Sequence, residues 1–150
     1  MDRKITFTLD RSELLRAKRE ILDFKKEFEA KAAVFMEKLV EAGVEIATRN
    51  VVNMAFRTGA LAISIQGTAM YVDGTGNRGI IFTDSPYAVF VEFGTGRFAK
   101  NPKRTGGWHY IDDVTDEWIF TRGTPPVPFM NNTALELEAI VHYVAKEVFG

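Results

Sequence analysis

The chain has 150 residues, 46% hydrophobic and 26% charged. That balance excludes a disordered tail, and two separate cores would each be too small at this length, so a single domain over 1–150 is expected. The 19 basic and 20 acidic residues leave a net charge of -1, which excludes a global field drawing the protein to DNA or to an anionic membrane. The absence of cysteine removes disulfides, thiolate nucleophiles and cysteine-ligated metal sites. Met1-Asp2-Arg3-Lys4-Ile5-Thr6 lacks the apolar run of a signal peptide, and no stretch of about 18 uncharged apolar residues occurs. Synthesis in the cytoplasm and no membrane partner are expected.

Residues 4–9 alternate polar and apolar, predicting a short strand. Asp10 or Ser12 suits a helix N-cap. From there Ile21, Phe24, Phe28, Phe35 and Leu39 recur at helical spacing with Lys25, Lys26, Glu27 and Glu29 opposite, a long amphipathic helix whose apolar stripe is expected to face the core. Ile46, Ala47, Val51 and Met54 carry the stripe on past Gly43, a candidate bend. Arg57, Thr58 and Gly59 break the pattern, and Leu61, Ile63 and Ile65 then alternate with Ala62, Ser64 and Gln66 as a strand.

Asp73 to Asn77, between Tyr71-Val72 and Ile80-Ile81-Phe82, is a hairpin turn. Asp84 or Ser85 before Pro86 predicts the start of a short helix over 86–93, with Gly94 as its stop. Residues 94–107 form a loop carrying Arg97, Lys100, Lys103 and Arg104 and no acidic residue. Trp108–Ile111 and Trp118–Thr121 read as strands joined by an acidic turn with Asp112, Asp113, Asp116 and Glu117. After Pro125, Pro126 and Pro128 comes a closing helix with Met130, Leu137, Ile140, Val141, Val144 and Val148 on its apolar face. The fold class is α+β: a long N-terminal amphipathic helix and a C-terminal helix packed on a mostly antiparallel sheet.

Little in this pattern carries chemistry. His109, with Asp112 and Asp113 nearby and Ser64 or Ser85 elsewhere, lacks a nucleophile-elbow pattern and reads as a strand histidine. His142 stands apart on the last helix, and the acidic turn lacks the order of a calcium loop. Gly74 to Gly79 lacks the Gly-Lys-Ser/Thr ending of a phosphate loop. No catalytic residue, metal or cofactor is assigned. The basic loop admits three readings: a solvated loop, a protein contact, or a nucleic-acid-binding element touching phosphates. The acidic turn, through Asp112 and Asp113, is a candidate partner for it, within one chain or on a neighbouring subunit.

Tyr87-Ala88-Val89-Phe90-Val91-Glu92-Phe93-Gly94-Thr95-Gly96, then Gly107-Trp108-His109-Tyr110, Phe120-Thr121-Arg122-Gly123 and Pro128-Phe129-Met130, resembles the head-to-tail neck and minor tail (tail-completion) protein family of long-tailed bacteriophages. The helix ending before Thr58-Gly59-Ala60-Leu61 is also similar, although Arg57 stands where an acidic residue is usual. The marks span about residues 20 to 145 in the family's order. The resemblance implies a structural virion protein of the head-to-tail region, not an enzyme, assembled in the host cytoplasm as a homo-oligomeric ring. Its implied neighbours are connector, portal-side or tail proteins, with a passing contact to phage DNA. Within the motif, Tyr87 and Phe90 are expected in the core, Phe93, Gly94 and Thr95 at the turn, and Pro128, Phe129 and Met130 at the opening of the last helix. Glu92, a carboxylate disfavoured near a helix C-terminus, should have a specific partner, a backbone N–H or Arg122.

Overall fold

The computed structural model describes residues 10–55, 59–73 and 76–150. The strand expected over 4–9, and Arg57 and Thr58 at the expected break, lie outside them. Arg11–Ala55 forms α1, a single helix of 45 residues and about 68 Å at 1.5 Å per residue. Asp10 is its cap: Oδ2 accepts from the Ser12 N–H at 3.1 Å and from the Ser12 hydroxyl. The ion pairs Arg16–Glu20, Lys25–Glu29 and Lys31–Glu27, each one turn apart, support the exposed face, worth a few tenths of a kcal/mol apiece.

After α1 come α2 (Ala60–Ile63), β1 (Ile65–Val72), β2 (Gly76–Thr83), α3 (Ala88–Phe93), a 3-10 turn (Gly96–Phe98), β3 (Trp108–Ile111), β4 (Trp118–Thr121) and α4 (Phe129–Phe149). The class is α+β, as expected. Among the described residues the strands form two antiparallel hairpins, β1 with β2 and β3 with β4, where one sheet was expected. The strand expected from Leu61 begins only at Ile65. Leu61 and Ala62 are instead buried in one helical turn with Ile63 exposed, so three alternating apolar residues were read with the wrong period. The expected helix at 86–93 starts two residues later, capped by neither Asp84 nor Ser85: Tyr87 is its N-cap and makes no side-chain cap bond.

α1 is the axis of the packing. A Cβ added at Gly43 would lie 2.1 Å from Cδ1 of Ile81 on β2 and 2.9 Å from Cδ1 of Leu137 on α4. The residue expected as a bend is therefore the point where hairpin and closing helix approach α1 together, inside an uninterrupted helix. The buried core gathers Ala47 and Val51 of α1, Leu61 and Ala62 of α2, Ile65 of β1, Ala88 of α3 and Phe129 of α4.

α4 runs antiparallel to α1. Near its start Asn50, 7% exposed, donates from Nδ2 to Thr133 Oγ1 at 3.3 Å and to Glu136 Oε1 at 2.9 Å, and Arg49 pairs with Glu136. Farther on Lys38 meets Glu147 at 2.6 Å, and the Phe149 ring lies 5.7 Å from those of both Phe28 and Phe35. Of the expected apolar face of α4, Val141 is exposed, while Phe129 is the most buried large side chain of that helix. The stripe of α1 likewise does not face the core throughout, since Ile21 and Phe28 are exposed.

Replacing Asn50 with alanine removes a buried and a half-buried donor contact and leaves Thr133 only the Phe129 carbonyl and Glu136 only Arg49. Urea unfolding should show a loss of about 1–3 kcal/mol. The bonds from Ser12 hold the Asp10 carboxyl below its ordinary 3.8. A folded-state value below the unfolded one means the cap is complete above the unfolded value and is lost as pH falls through the lowered one. The Ser12 amide resonance should follow that titration, and Asp10→Ala should abolish it.

Candidate assembly interface

The motif segment 87–100 is zipped to the chain leading into α4. The Val127 N–H donates to the Val91 carbonyl at 2.8 Å, Thr95 N–H to Thr124 O at 2.9 Å, and Arg97 N–H to Arg122 O at 3.0 Å. The Thr95 hydroxyl oxygen in turn accepts from Thr124 N–H at 2.9 Å. Gly94 makes the close approach possible. Its φ is 72°, and a Cβ there would meet backbone atoms of Pro126 and Thr124 at 2.8 Å, so no other residue fits without moving main chain.

Glu92 completes the junction. Its Oε2 accepts from the Met130 N–H at 2.9 Å and its Oε1 from the Asn131 N–H at 3.1 Å. These are free donors of the first turn of α4, whose N-cap, Pro128, makes no side-chain cap bond. A proline has no side-chain acceptor, so the cap is supplied from 38 residues away. The carboxylate that is misplaced for α3 is well placed for α4: it faces the positive end of that helix and satisfies orphan N–H groups. The expected specific partner is thus backbone N–H and not Arg122.

Tyr87 and Phe90 do not enter the core. Both are exposed, and Ala88 is buried with Val91 packed against the core. With only six residues in α3, the helix offers one narrow face inward, and the small Ala88 lets it sit close. Val89, Phe90 and Phe93, exposed by 61%, 57% and 50%, form the outward face. On β3 and β4, Ile111, Trp118 and Phe120 are also exposed, Trp118 by 70%.

The four cations Arg97, Lys100, Lys103 and Arg104 are all exposed. Arg97 lies over the Phe98 ring at 4.7 Å and Arg104 over Trp108 at 5.6 Å, so two of them are oriented by aromatic faces. Asp112 is only 5% exposed and organises its own turn: Oδ1 accepts from Val114 and Thr115 N–H, each at 3.0 Å. Asp113 sits exposed at the corner.

Ser64 Oγ donates to the Leu61 carbonyl and shares a 2.6 Å hydrogen bond with Thr83 Oγ1. His109 is exposed, its ring 5.0 Å from that of Phe120. Among the described residues no group of three or more His, Asp or Glu side chains is placed to hold a metal ion, and no helix is long and apolar enough to cross a membrane. The sequence pointed to a backbone N–H as a partner for Glu92, but which N–H groups Glu92 and Asp112 hold was hidden, because main-chain donors leave no residue-type signal.

Glu92→Gln keeps the shape but weakens two charge-assisted bonds, and should lower stability by about 1–2 kcal/mol in urea unfolding. Gly94→Ala should cost more than Glu92→Gln, because main chain must move and φ is unfavourable.

A family model described as "Bacteriophage HK97-gp10, putative tail-component" matches residues 19–94, just over half of the chain, from α1 through α3 to Gly94. Comparison with curated proteins and with solved structures returned no match. The matched stretch contains both the α1 face that receives α4 and the carboxylate that caps it. The chain belongs to the HK97 gp10-like family of bacteriophage tail components, in keeping with the neck and tail-completion character of its motifs.

Proposed function

We propose that this phage tail component works as a structural virion protein of the head-to-tail connector or tail-completion apparatus, by assembling into a homo-oligomeric ring from a single domain over 1–150. The observation that carries the reading is unfinished surface. The accessible area is 10902 Å², against about 7,700 Å² for a compact monomer of 16.9 kDa. Large apolar side chains stand exposed on the outward face of α3 and on the β3–β4 hairpin. Apolar surface that a chain cannot bury by itself is buried against partners.

In the ring, the face built on Val89, Phe90 and Phe93 supplies the apolar contact. The loop with Arg97, Lys100, Lys103 and Arg104 supplies electrostatic register against the acidic turn of the next copy, through Asp113 at its exposed corner, while Asp112 maintains the turn. Connector, portal-side or tail proteins are the neighbours above and below. Assembly takes place in the host cytoplasm and the product resides in the virion. The work is positional and no catalytic step is assigned.

Light scattering on the purified chain should give a mass several times 16.9 kDa, and Phe90→Asp with Phe93→Asp should reduce it to monomer with the helical circular dichroism unchanged. A wild-type monomer at every concentration would count against self-assembly. The exposed loop cations favour a second reading, a nucleic-acid contact. It predicts duplex binding that weakens with salt at a log–log slope near -3.6, about -0.9 for each of four phosphates, and loses that slope when the four cations are replaced.

A further inference from the structure

We propose that the outer edge of β1 accepts, as a third strand, an extended segment of a neighbouring virion protein that carries lysine or arginine at alternate positions. The site lies apart from α3 and the basic loop, so it goes beyond the ring contacts proposed above. Among the described residues β1 pairs with β2 alone, and its other edge is open. Proteins usually blunt such an edge with a charge, a proline or a bulge. β1 reads Ile-Gln-Gly-Thr-Ala-Met-Tyr-Val, without charge or proline, and its eight residues pair with β2 in unbroken register. An edge this long and this plain is suited to being paired.

The edge stands over a groove lined by Glu37, Val40, Glu41, Val44, Gly67 and Ala69. Glycine sets its depth. A Cβ at Gly67 would lie 2.5 Å from Cγ1 of Val40 and 2.7 Å from Cγ2 of Val44, and one at Gly79 of β2 would lie 2.5 Å from Cγ2 of Val40. The hairpin backbone is therefore pressed onto α1. Ile81 of β2 and Leu137 of α4 meet near Gly43, which puts the closing helix on the β2 side and leaves the β1 side to Glu37 and Glu41.

These two carboxylates decide what the third strand carries. Both are exposed, they repel one another across one helical turn, and neither makes an ion pair among the described residues. A third strand lies about 4.8 Å beyond β1, above that flank of α1. Four helical residues rise about 6 Å and two strand residues span about 6.7 Å, so cations two apart on the strand meet Glu37 and Glu41 in step. The residues between them point the other way and extend the exposed face of Met70, Ile80 and Phe82, which favours apolar side chains there.

A second copy does not fit. Two β1 edges joined about a two-fold axis would bring Glu37 and Glu41 towards the same carboxylates of the other copy. The chain's only cations two residues apart, Arg16 and Lys18, are within α1.

The probes are two fluorescein-labelled peptides of one composition, Ser-Val-Lys-Val-Lys-Val-Ser and Ser-Val-Lys-Lys-Val-Val-Ser, added to the full-length protein and followed by anisotropy. The first should bind about fivefold more tightly, the yield of two exposed ion pairs. Glu37→Gln with Glu41→Gln should erase that preference with the helical circular dichroism unchanged, and molar salt should shrink it. Hydrogen exchange read by mass spectrometry should slow across 66–71 when the first peptide is bound. Equal affinities, protection confined to other segments, or no binding of either peptide at millimolar concentration would each overturn the proposal. Exchange already slow at 66–71 without peptide, and faster on dilution, would assign the edge to a second copy and overturn it as well.

Discussion

A helix that begins at a proline cannot supply its own side-chain cap, and α4 begins at Pro128. The two hydrogen bonds from Met130 and Asn131 to the Glu92 carboxylate supply that cap and do more than end a helix neatly. They tie α3 to the start of α4, where Phe129 enters the core at 1% exposure, and Phe129 packs with Ala47 and Val51 of α1. The closing helix is thereby held at its first turn by a charge, near its start by the Asn50, Arg49 and Glu136 network, and farther on by Lys38 with Glu147. The motif segment is consequently rigid, although it contains only six helical residues and several glycines.

Rigidity there has a consequence for the surface. Once Ala88 and Val91 are committed inward, Val89, Phe90 and Phe93 have nowhere to go but outward. A short helix pinned at its C-terminal end by Glu92 cannot roll to hide them. The Thr95–Thr124 and Arg97–Arg122 backbone bonds similarly hold the root of the basic loop while its tip stays exposed. Fixed apolar groups beside oriented cations are the ingredients of a specific protein contact, and they suit the assembly role proposed for this tail component.

Much of the architecture was legible because it is local. The helical period before Ala55, the pairing of β1 with β2, the pair of short strands at 108–111 and 118–121, and the stop at Gly94 all follow from spacing and turn chemistry within a few residues. The misreadings share one cause. Leu61-Ala62-Ile63 fits a strand or a helical turn equally well over so few residues, and packing of Leu61 and Ala62 beside Val51 decided for the turn. Tyr87 and Phe90 of the motif were expected inside, yet Ala88 and Val91 are the residues of α3 that turn to the core. Ile21 and Phe28 repeat at core spacing, but α4 is too short to cover the whole stripe.

The sequence by itself therefore determined the element types, the α+β class and the ordered motifs that mark the family, since each depends on near neighbours along the chain. Only the tertiary structure decided which apolar residues are core and which remain surface. It also decided that Glu92 caps a helix 38 residues away, that Asp112 serves its own turn, and that the sheet divides into two hairpins. Those outcomes depend on the lengths of the elements that meet and on main-chain donors, and neither is written in the identity of any single residue.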